Sequence, residues 1–296
     1  MGRISLVAVS ILLSATALAE LHYTVKSYDT ADQIFKEILK SKPRVIAFGE
    51  YHETKEGSKV KSAIKRFTQD LLALVQKHSS DIVVETWIPS GKCGTKEAAV
   101  TKKVEETINR PATTEDEVVT LIETADKVGV EPHILTLSCE EYASIQPGAD
   151  GNIDYVKLLD VITGQLRKTI LGIVAGKLLE KAPRRDKMVL VYGGALHNDV
   201  YPSKDFETFS FARQVNKMVK GKYLEVDLYV PEFIEDDKSV TAEAWYPIWE
   251  KQAQPGKPTL VRRSASSYII VFPRTPVAAP SATPPATPPA TVEKPG

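Results

Sequence analysis

The sequence has no surplus of charge of either sign and contains little cysteine or histidine. Its 296 residues include 38 Lys+Arg and 38 Asp+Glu, so the formal net charge is zero. Proteins that bind nucleic acid through its phosphates carry a basic surplus, and the composition shows none. We therefore expect no nucleic-acid partner. With only two cysteines and five histidines in the chain, few residues are available for metal binding or nucleophilic chemistry.

Several common catalytic motifs are also missing. His52-Glu53 does not begin a zincin motif, because Glu56 stands where the second histidine would be required. The sequence has no Gly-x-Ser-x-Gly nucleophile elbow, no glycine-rich phosphate loop and no dinucleotide fingerprint. These absences exclude the usual signatures of serine hydrolases, nucleotide phosphatases and Rossmann dehydrogenases.

The chain lacks an apolar run long enough to span a bilayer comfortably. The longest, Ile4–Leu13, follows Arg3 and precedes Ala17-Leu18-Ala19, which is typical of a secretory signal peptide. We predict that Met1–Ala19 is this signal; the alternative is an uncleaved anchor. No cysteine follows the cleavage site, so no lipid anchor is expected. The sequence thus predicts an exported protein, periplasmic or extracellular, with no transmembrane segment after cleavage.

The last 23 residues, Arg274–Gly296, are rich in Pro, Ala and Thr and nearly devoid of large apolar side chains. Such a composition favours extended, unpacked chain, so we predict a disordered tail. Residues 20–273 remain as one folded domain. Its two cysteines, Cys93 and Cys139, are predicted to form a disulfide in an exported protein. Two free thiols are the alternative, and a catalytic thiol is less favoured.

Short apolar runs alternate with amphipathic segments along the domain. We predict strands at 44–48, 81–86, 133–137, 188–192, 223–230 and 267–272, the last two nearer a sheet edge. We predict helices at 58–78, 96–109, 114–128, 153–181 and 204–219, with a capping box at Thr114 and Glu117. This alternation indicates an α/β fold with a mostly parallel sheet and helices on both faces. Trp245, Tyr246 and Trp249 form either a binding lip or a packed cap.

Ionisable residues follow three of the predicted strands. Binding sites in open parallel sheets form beyond the carboxyl ends of the strands, so we predict a common site for Glu50, His52, Glu85 and His197. Two His and two Glu are suitable ligands for a divalent metal. They equally suit metal-free acid–base chemistry in which Glu orients His as the base. The residues leave both alternatives open.

Neighbouring residues have weaker predicted roles. Gly49, Gly193 and Gly194 permit sharp turns and close approach of a ligand, and backbone N–H groups near Gly194 are candidates to stabilise an oxyanion. Further candidates are solvated turn residues or supporting partners of the site: Glu53, Asn198 and Asp199. We predict that the remaining histidines, His22, His78 and His133, are structural or exposed, with His133 at the opposite sheet edge.

The segment Val45–His52, Val-Ile-Ala-Phe-Gly-Glu-Tyr-His, resembles the Gly-Glu-x-His opening of the superfamily that contains Tiki/TraB proteins, ChaN and erythromycin esterases. Glu85 and the later Gly194-Ala195-Leu196-His197 match that group's order and spacing, over roughly Val45 to Tyr268. The resemblance implies a shared pocket but several activities: metal-dependent proteolysis, metal-free lactone hydrolysis, or haem binding. It also implies an arginine in the site, for which Arg167 and Arg185 are candidates.

The leading hypothesis is an exported hydrolase-like protein that acts on a peptide or ester bond. Glu50, His52, Glu85 and His197 would bind a divalent metal or activate water directly, with His52 as base. The alternative is a protein that binds haem or another iron ligand through Tyr51, His52 or His197 without catalysis. A third is a non-catalytic envelope scaffold. The expected partner is a small molecule or a peptide; the sequence does not indicate an oligomeric state.

Overall fold

The computed structural model describes residues 23–52, 60–90, 93, 113–146 and 153–276. Several sequence predictions lie outside these residues: the signal peptide at Met1–Ala19, His22, Glu53, the helix at 96–109 and the tail beyond Pro276. The description below concerns the described part of the chain.

One eight-stranded sheet forms the centre of the protein, with strand order β1-β7-β8-β6-β2-β5-β3-β4. The strands are β1 Thr24–Ser27, β2 Val45–Glu50, β3 Ser79–Pro89, β4 Glu131–Leu137, β5 Met188–Gly194, β6 Tyr223–Tyr229, β7 Thr259–Arg262 and β8 Ser267–Val271. All pairings from β8 to β4 are parallel, and β7 pairs antiparallel with β1 and with β8. This confirms the predicted α/β class with a mostly parallel sheet.

Helices cover both faces of the sheet, because alternate strand residues point to opposite sides. They are α1 Ala31–Ile38, α2 Ala63–Arg66, α3 Leu72–Val75, α4 Thr113–Lys127, α5 Cys139–Ser144, α6 Tyr155–Lys177, α7 Ala195–Asn198, α8 Ala212–Met218, α9 Pro231–Ile234, α10 Lys238–Thr241 and α11 Tyr246–Gln252. On the first face, Ile46 and Phe48 pack with residues of α1 to α4. On the second face, Val45 and Ala47 pack with residues of α5, α6 and α8. Among the described residues, no helix is both long and apolar enough to cross a membrane.

The strand predictions differ from the structure at the sheet margins. Two short strands, β1 and β7, were not predicted, because each has only four residues, of which no more than two are apolar. β6 lies between β8 and β2 and is not near an edge. The expectation of an edge position was wrong because Glu225 and Asp227 make β6 look half-polar, whereas both carboxyl groups are buried.

Three helix predictions were wrong in detail. The helix expected at 58–78 begins at Ala63, because the side chain of Ser62 accepts a hydrogen bond from the backbone N–H of Lys65 and caps it. Of the segment 204–219, only α8 and a 3₁₀ turn are helical. The capping box at Thr114 does not form: Thr114 Oγ1 is buried without a hydrogen-bond partner in the described chain, and Glu117 accepts instead from Ser62.

The aromatic cluster forms a packed cap over β7 and β8. Trp245, Tyr246 and Trp249 are all buried, together with Ile269 of β8. The binding-lip alternative is thereby removed. The first residues assigned to the tail also belong to the packed domain, since Arg274 pairs with Glu235 and Arg66 donates to Pro273 and Thr275.

The predicted disulfide between Cys93 and Cys139 is present, with 5.1 Å between the two Cα atoms and a sequence separation of 46. Cys139 opens α5, directly after the capping residue Ser138. The bond therefore ties the chain that follows β3 to the chain that follows β4, at the same edge of the sheet as the candidate site. A structural disulfide is typical of oxidising compartments.

Candidate functional site

Three parallel strands bring the predicted residues to one edge of the sheet. β2 ends at Glu50, and β5 ends at Gly194, directly before the short helix α7 that carries His197. Glu85 was predicted to stand at the end of its strand. This was wrong, because β3 runs on to Pro89 and Glu85 lies within it. It lies where the register with β4 shifts, just after β3 stops pairing with β5 at Val84. This irregularity turns Glu85 out of the ladder and toward Gly193.

Glu50 and His52 form the first of two Glu–His pairs. His52 Nδ1 lies 2.8 Å from Glu50 Oε1, and the hydroxyl of Tyr192 donates to Glu50 Oε2 at 2.5 Å. Because a carboxylate only accepts, Nδ1 is the protonated nitrogen of a neutral His52. The Glu50 side chain is 7% exposed and that of His52 is 35% exposed. A buried carboxylate thus fixes the tautomer of a histidine that solvent reaches.

Glu85 and His197 form the second pair. His197 Nε2 lies 3.5 Å from Glu85 Oε1, and the N–H of Gly194 donates to Glu85 Oε2 at 2.7 Å. On the other side of the ring, Nδ1 lies 3.1 Å from the carbonyl of Phe209 and 3.0 Å from Thr163 Oγ1. A carbonyl accepts only, so Nδ1 again carries the proton and Nε2 faces the carboxylate. The His197 side chain is buried, so this arrangement is rigid.

Three glycines make room for these polar side chains. A Cβ atom on Gly193 would lie 2.4 Å from Glu85 Oε2, and one on Gly194 would lie 2.9 Å from His52 Nε2. A Cβ on Gly49 would lie 2.6 Å from both Nδ2 and Oδ1 of Asn198. The glycine backbone therefore packs directly against the side chains of Glu85, His52 and Asn198. The Gly-Glu and Gly-Gly sequences are needed at this edge for close packing of the site.

The two pairs do not form a preformed metal centre. Among the described residues, the ligand atoms of a group of three come within 4.8 Å of one another only at Asp81, Glu131 and His133. Ligands of one metal ion at about 2.0–2.2 Å would lie within that limit. The residues predicted as metal ligands thus stand as two Glu–His pairs, and without rearrangement they do not fit a shared divalent ion.

The Asp81 cluster lies at the opposite edge of the sheet, and its donor atoms are close enough for a metal. Two cations already occupy it, however. Lys177 Nζ lies 2.8 Å from Asp81 Oδ2, and Arg184 contacts both Asp81 and Glu131. Burial by itself would raise the pKa of Asp81, but hydrogen bonds from His133, Lys177 and Ser80 outweigh it and hold that pKa well below its usual range. The position of His133 in this ion network is consistent with its predicted structural role.

A second buried charged cluster lies behind the site on β6. Glu225 and Asp227 face Arg263, whose NH1 lies 3.0 Å from Glu225 Oε1 and 3.5 Å from Asp227 Oδ2. Asn198 Nδ2 links the cluster to Gly49 by donating to Asp227 Oδ1 and to the Ala47 carbonyl. Burial raises the pKa of Asp227 well above its usual range, with Glu225 as the next cause, and burial also raises the pKa of Glu225. Both shifts favour the protonated form of this carboxyl pair, which faces the guanidinium of Arg263.

These two clusters predict opposite dependences of stability on pH. A group whose pKa is lowered in the folded state, such as Asp81, stabilises the folded protein above about pH 4. This stabilisation is lost as the pH falls. A group whose pKa is raised in the folded state, such as Asp227, stabilises the folded protein below about pH 4. This stabilisation is lost as the pH rises. We expect D227N to have a higher free energy of unfolding, relative to wild type, as the pH rises from about 4 to 8. We expect D81N to lose less of its free energy of unfolding than wild type as the pH falls below 4. Urea unfolding across pH measures both; a pH-independent difference for D227N would contradict the assignment.

Other candidates lie elsewhere. Tyr51 bonds through its hydroxyl to Asp237 and stacks on Tyr229, with 6.0 Å between ring centres. Arg185 lies before β5, at the opposite edge, where its carbonyl accepts from Arg44. His78 is exposed at the end of the helical segment that includes α3. The N–H of Gly194 is used by Glu85, so this group is not available to an oxyanion.

Sequence reasoning missed the residues that hold the pairs in place. Tyr192 was assigned to a strand and given no role. Because side chains alternate along a strand, that of Tyr192 points to the face opposite to position 193, which is the face of Glu50. Thr163 lies on α6, and no local motif connects it with His197, 34 residues away. Arg167, one turn further along α6, lines a cleft beside His197.

No family model matches the chain, and no curated protein matches it. Two solved structures are similar. The type III effector HopBA1 has 10% identity and a TM-score of 0.39, over 85% of this chain and 98% of that chain. ChaN of Campylobacter jejuni, described as binding haem cofacially, has 17% identity and a TM-score of 0.30, over 70% of this chain and 91% of that chain. Similarity at this level carries no argument about function, and the resemblance to Tiki/TraB proteins and erythromycin esterases stays a prediction.

Proposed function

We propose that this chain is an exported, metal-independent hydrolase that acts on an ester or peptide bond. His52 is the base: its Nε2 takes a proton from water while Glu50 stabilises the imidazolium that results. His197 is the second group: its Nε2, once protonated, would donate to the leaving oxygen of an ester or to the leaving nitrogen of a peptide. Glu85 faces Nε2 across 3.5 Å and is the group that would exchange this proton with His197.

The observation that supports the proposal is the orientation of the two histidines. In both rings Nδ1 is held by an acceptor, Glu50 Oε1 for His52 and the Phe209 carbonyl for His197. Glu orienting His as a base is the usual arrangement for activating water. Both pairs lie against Gly194, because a Cβ atom there would lie 2.9 Å from His52 Nε2 and 3.7 Å from Glu85 Oε2.

The same contacts weigh against two of the three candidate haem ligands; the third, His52, is 35% exposed, and haem titration decides its case. The Nε2 atom of His197 faces Glu85, and the Tyr51 hydroxyl is bonded to Asp237, so neither is placed as an axial ligand. Haem and a divalent metal are tested separately, on the same protein secreted into an oxidising compartment. We expect elemental analysis to find no stoichiometric metal and haem titration to give no Soret shift; either signal at one equivalent would overturn the metal-independent proposal.

Hydrolysis by the full chain tests the function itself. We would measure chelator-treated wild type, H52A and H197A against panels of activated esters and fluorogenic peptides, with H78A as the matched control because His78 is exposed. Loss of a general acid or base typically costs about 10²–10⁴ in rate. We therefore expect at least a hundred-fold loss in H52A and H197A and none in H78A. Equal rates in all four proteins would refute the proposed function.

Thr163 is expected to position His197. Its Oγ1 donates to the Leu159 carbonyl at 2.6 Å and lies 3.0 Å from His197 Nδ1. We expect T163V to lower the hydrolysis rate by about ten-fold and to shift the pH–rate profile, because the ring loses one of two contacts that fix its orientation. T163S should restore both. A T163V enzyme with an unchanged pH profile would show that Thr163 only fills space.

A further inference from the structure

A cleft of about 510 Å³ lies beside the candidate site, between α6 and the segment 199–214. This volume is within the range of about 300–1,000 Å³ for small-ligand pockets. Thr163 lines the cleft and also contacts His197 Nδ1. The cleft therefore adjoins the second Glu–His pair directly, on the side of the ring away from Glu85.

One face of α6 forms the floor of the cleft. Asp160, Thr163, Gly164 and Arg167 follow the i, i+3, i+4, i+7 spacing of a single helix face, and all four line it. Among the described residues, no atom outside the backbone of α6 lies within 4 Å of the position that a Cβ on Gly164 would take. Gly164 is therefore not a close-packing glycine. Its missing side chain leaves the middle of the cleft open.

The charged groups of the cleft differ in whether they are already paired. Asp199 lies 3.7 Å from the Arg263 guanidinium, and Arg213 pairs with Glu207. The half-buried Arg167 and the exposed Asp160 have no hydrogen bond or ion pair within the described chain. Seven residues of helix separate them by about 10 Å along the axis. Among the described residues, Arg167 and Asp160 are thus an unpaired cation and an unpaired anion at the two ends of the α6 face that forms the floor of the cleft.

We propose that this cleft binds a short peptide as a zwitterion, with its terminal carboxylate on Arg167 and its ammonium group toward Asp160. Three extended residues span about 10 Å, which matches the separation of the two charges. Arginine binds a carboxylate through two parallel hydrogen bonds, so the carboxylate end determines affinity. The cleft lies on the Nδ1 side of His197, away from the Nε2 atoms that the proposed hydrolysis uses, so this peptide site is separate from the reacting bond and does not rest on the proposed function.

The test measures binding and does not depend on hydrolysis. Trialanine and its C-terminal amide are titrated by calorimetry into the full-length H52A chain, in which the probe is not consumed. We expect trialanine to bind about ten-fold more tightly than the amide, as the loss of a charge-assisted pair implies. R167Q should abolish that difference. Equal affinity of the two peptides for H52A would overturn the proposal, whatever the hydrolysis assays show.

G164L offers a second variant, because a leucine there would fill the open floor and leucine is a better helix former than glycine. G172L is the matched control, since Gly172 also has open space at its Cβ position and does not line the cleft. We expect G164L to lose trialanine binding and G172L to retain it. Binding by G164L at the H52A level would overturn the proposal. If G164L does not fold, R167Q alone decides.

Discussion

Replacement of Lys177 by methionine is expected to lower the free energy of unfolding by about 3–5 kcal/mol, the cost of removing one partner of a buried ion pair. Lys177 is 2% exposed. Its Nζ lies 2.8 Å from Asp81 Oδ2 and contacts Ser80 Oγ. Methionine fills a similar volume, so the loss would come from leaving the carboxylate of Asp81 buried with fewer partners.

The matched control is K181M, because Lys181 is exposed four residues further along the chain. Surface substitutions of this kind usually change stability by less than about 0.5 kcal/mol. Urea unfolding followed by circular dichroism at neutral pH measures both variants. A K177M protein as stable as K181M would show that Asp81 is sufficiently neutralised by Arg184 and His133.

The second large effect is expected from G193A, which should reduce hydrolysis by about a hundred-fold while the protein stays folded. The added Cβ would lie 2.4 Å from Glu85 Oε2 and 2.9 Å from Glu85 Cβ, so Glu85 must shift from the position in which it faces His197. A displacement of about 1 Å at a catalytic group can cost about 10² in rate. The expected loss of rate comes from the collision of the added Cβ atom. It does not come from backbone strain, because Gly193 is not in the left-handed region.

G172A is the control for G193A. The Cβ position of Gly172 has nothing within 4 Å, and alanine favours the helix that contains it. We expect G172A to match wild type in rate and to be slightly more stable. If G193A hydrolyses substrate as fast as G172A, contact between Glu85 and the β5 backbone is not required for the reaction.

Much of the fold and the placement of the site could be predicted, because both depend on local pattern. Runs such as Met188–Tyr192 and Val45–Phe48 are apolar throughout, as buried parallel strands must be. Parallel strands deliver their carboxyl ends to one edge. Glu50, His52 and His197 could therefore be placed near one another before any contact was known.

What could not be predicted depends on contacts between distant segments. Nothing local indicates that Lys177 lies against Asp81 or that Thr163 contacts His197. The register shift in β3 that turns Glu85 toward Gly193 arises from pairing with two different neighbours. Glu117 likewise satisfies Ser62 instead of its own helix end. In each case a side chain finds a better partner across the fold than along the chain.

Glu50 and the Phe209 carbonyl hold His52 and His197 as Nδ1–H tautomers, with both Nε2 atoms toward the site. Nitrogen-15 NMR of histidine-labelled protein, at a pH where both rings are neutral, tests this directly. H52A and H197A identify the two signals, and H78A controls for the exposed ring. We expect both site histidines to show a protonated Nδ1 and an unprotonated Nε2. A protonated Nε2 on either neutral ring would contradict the account.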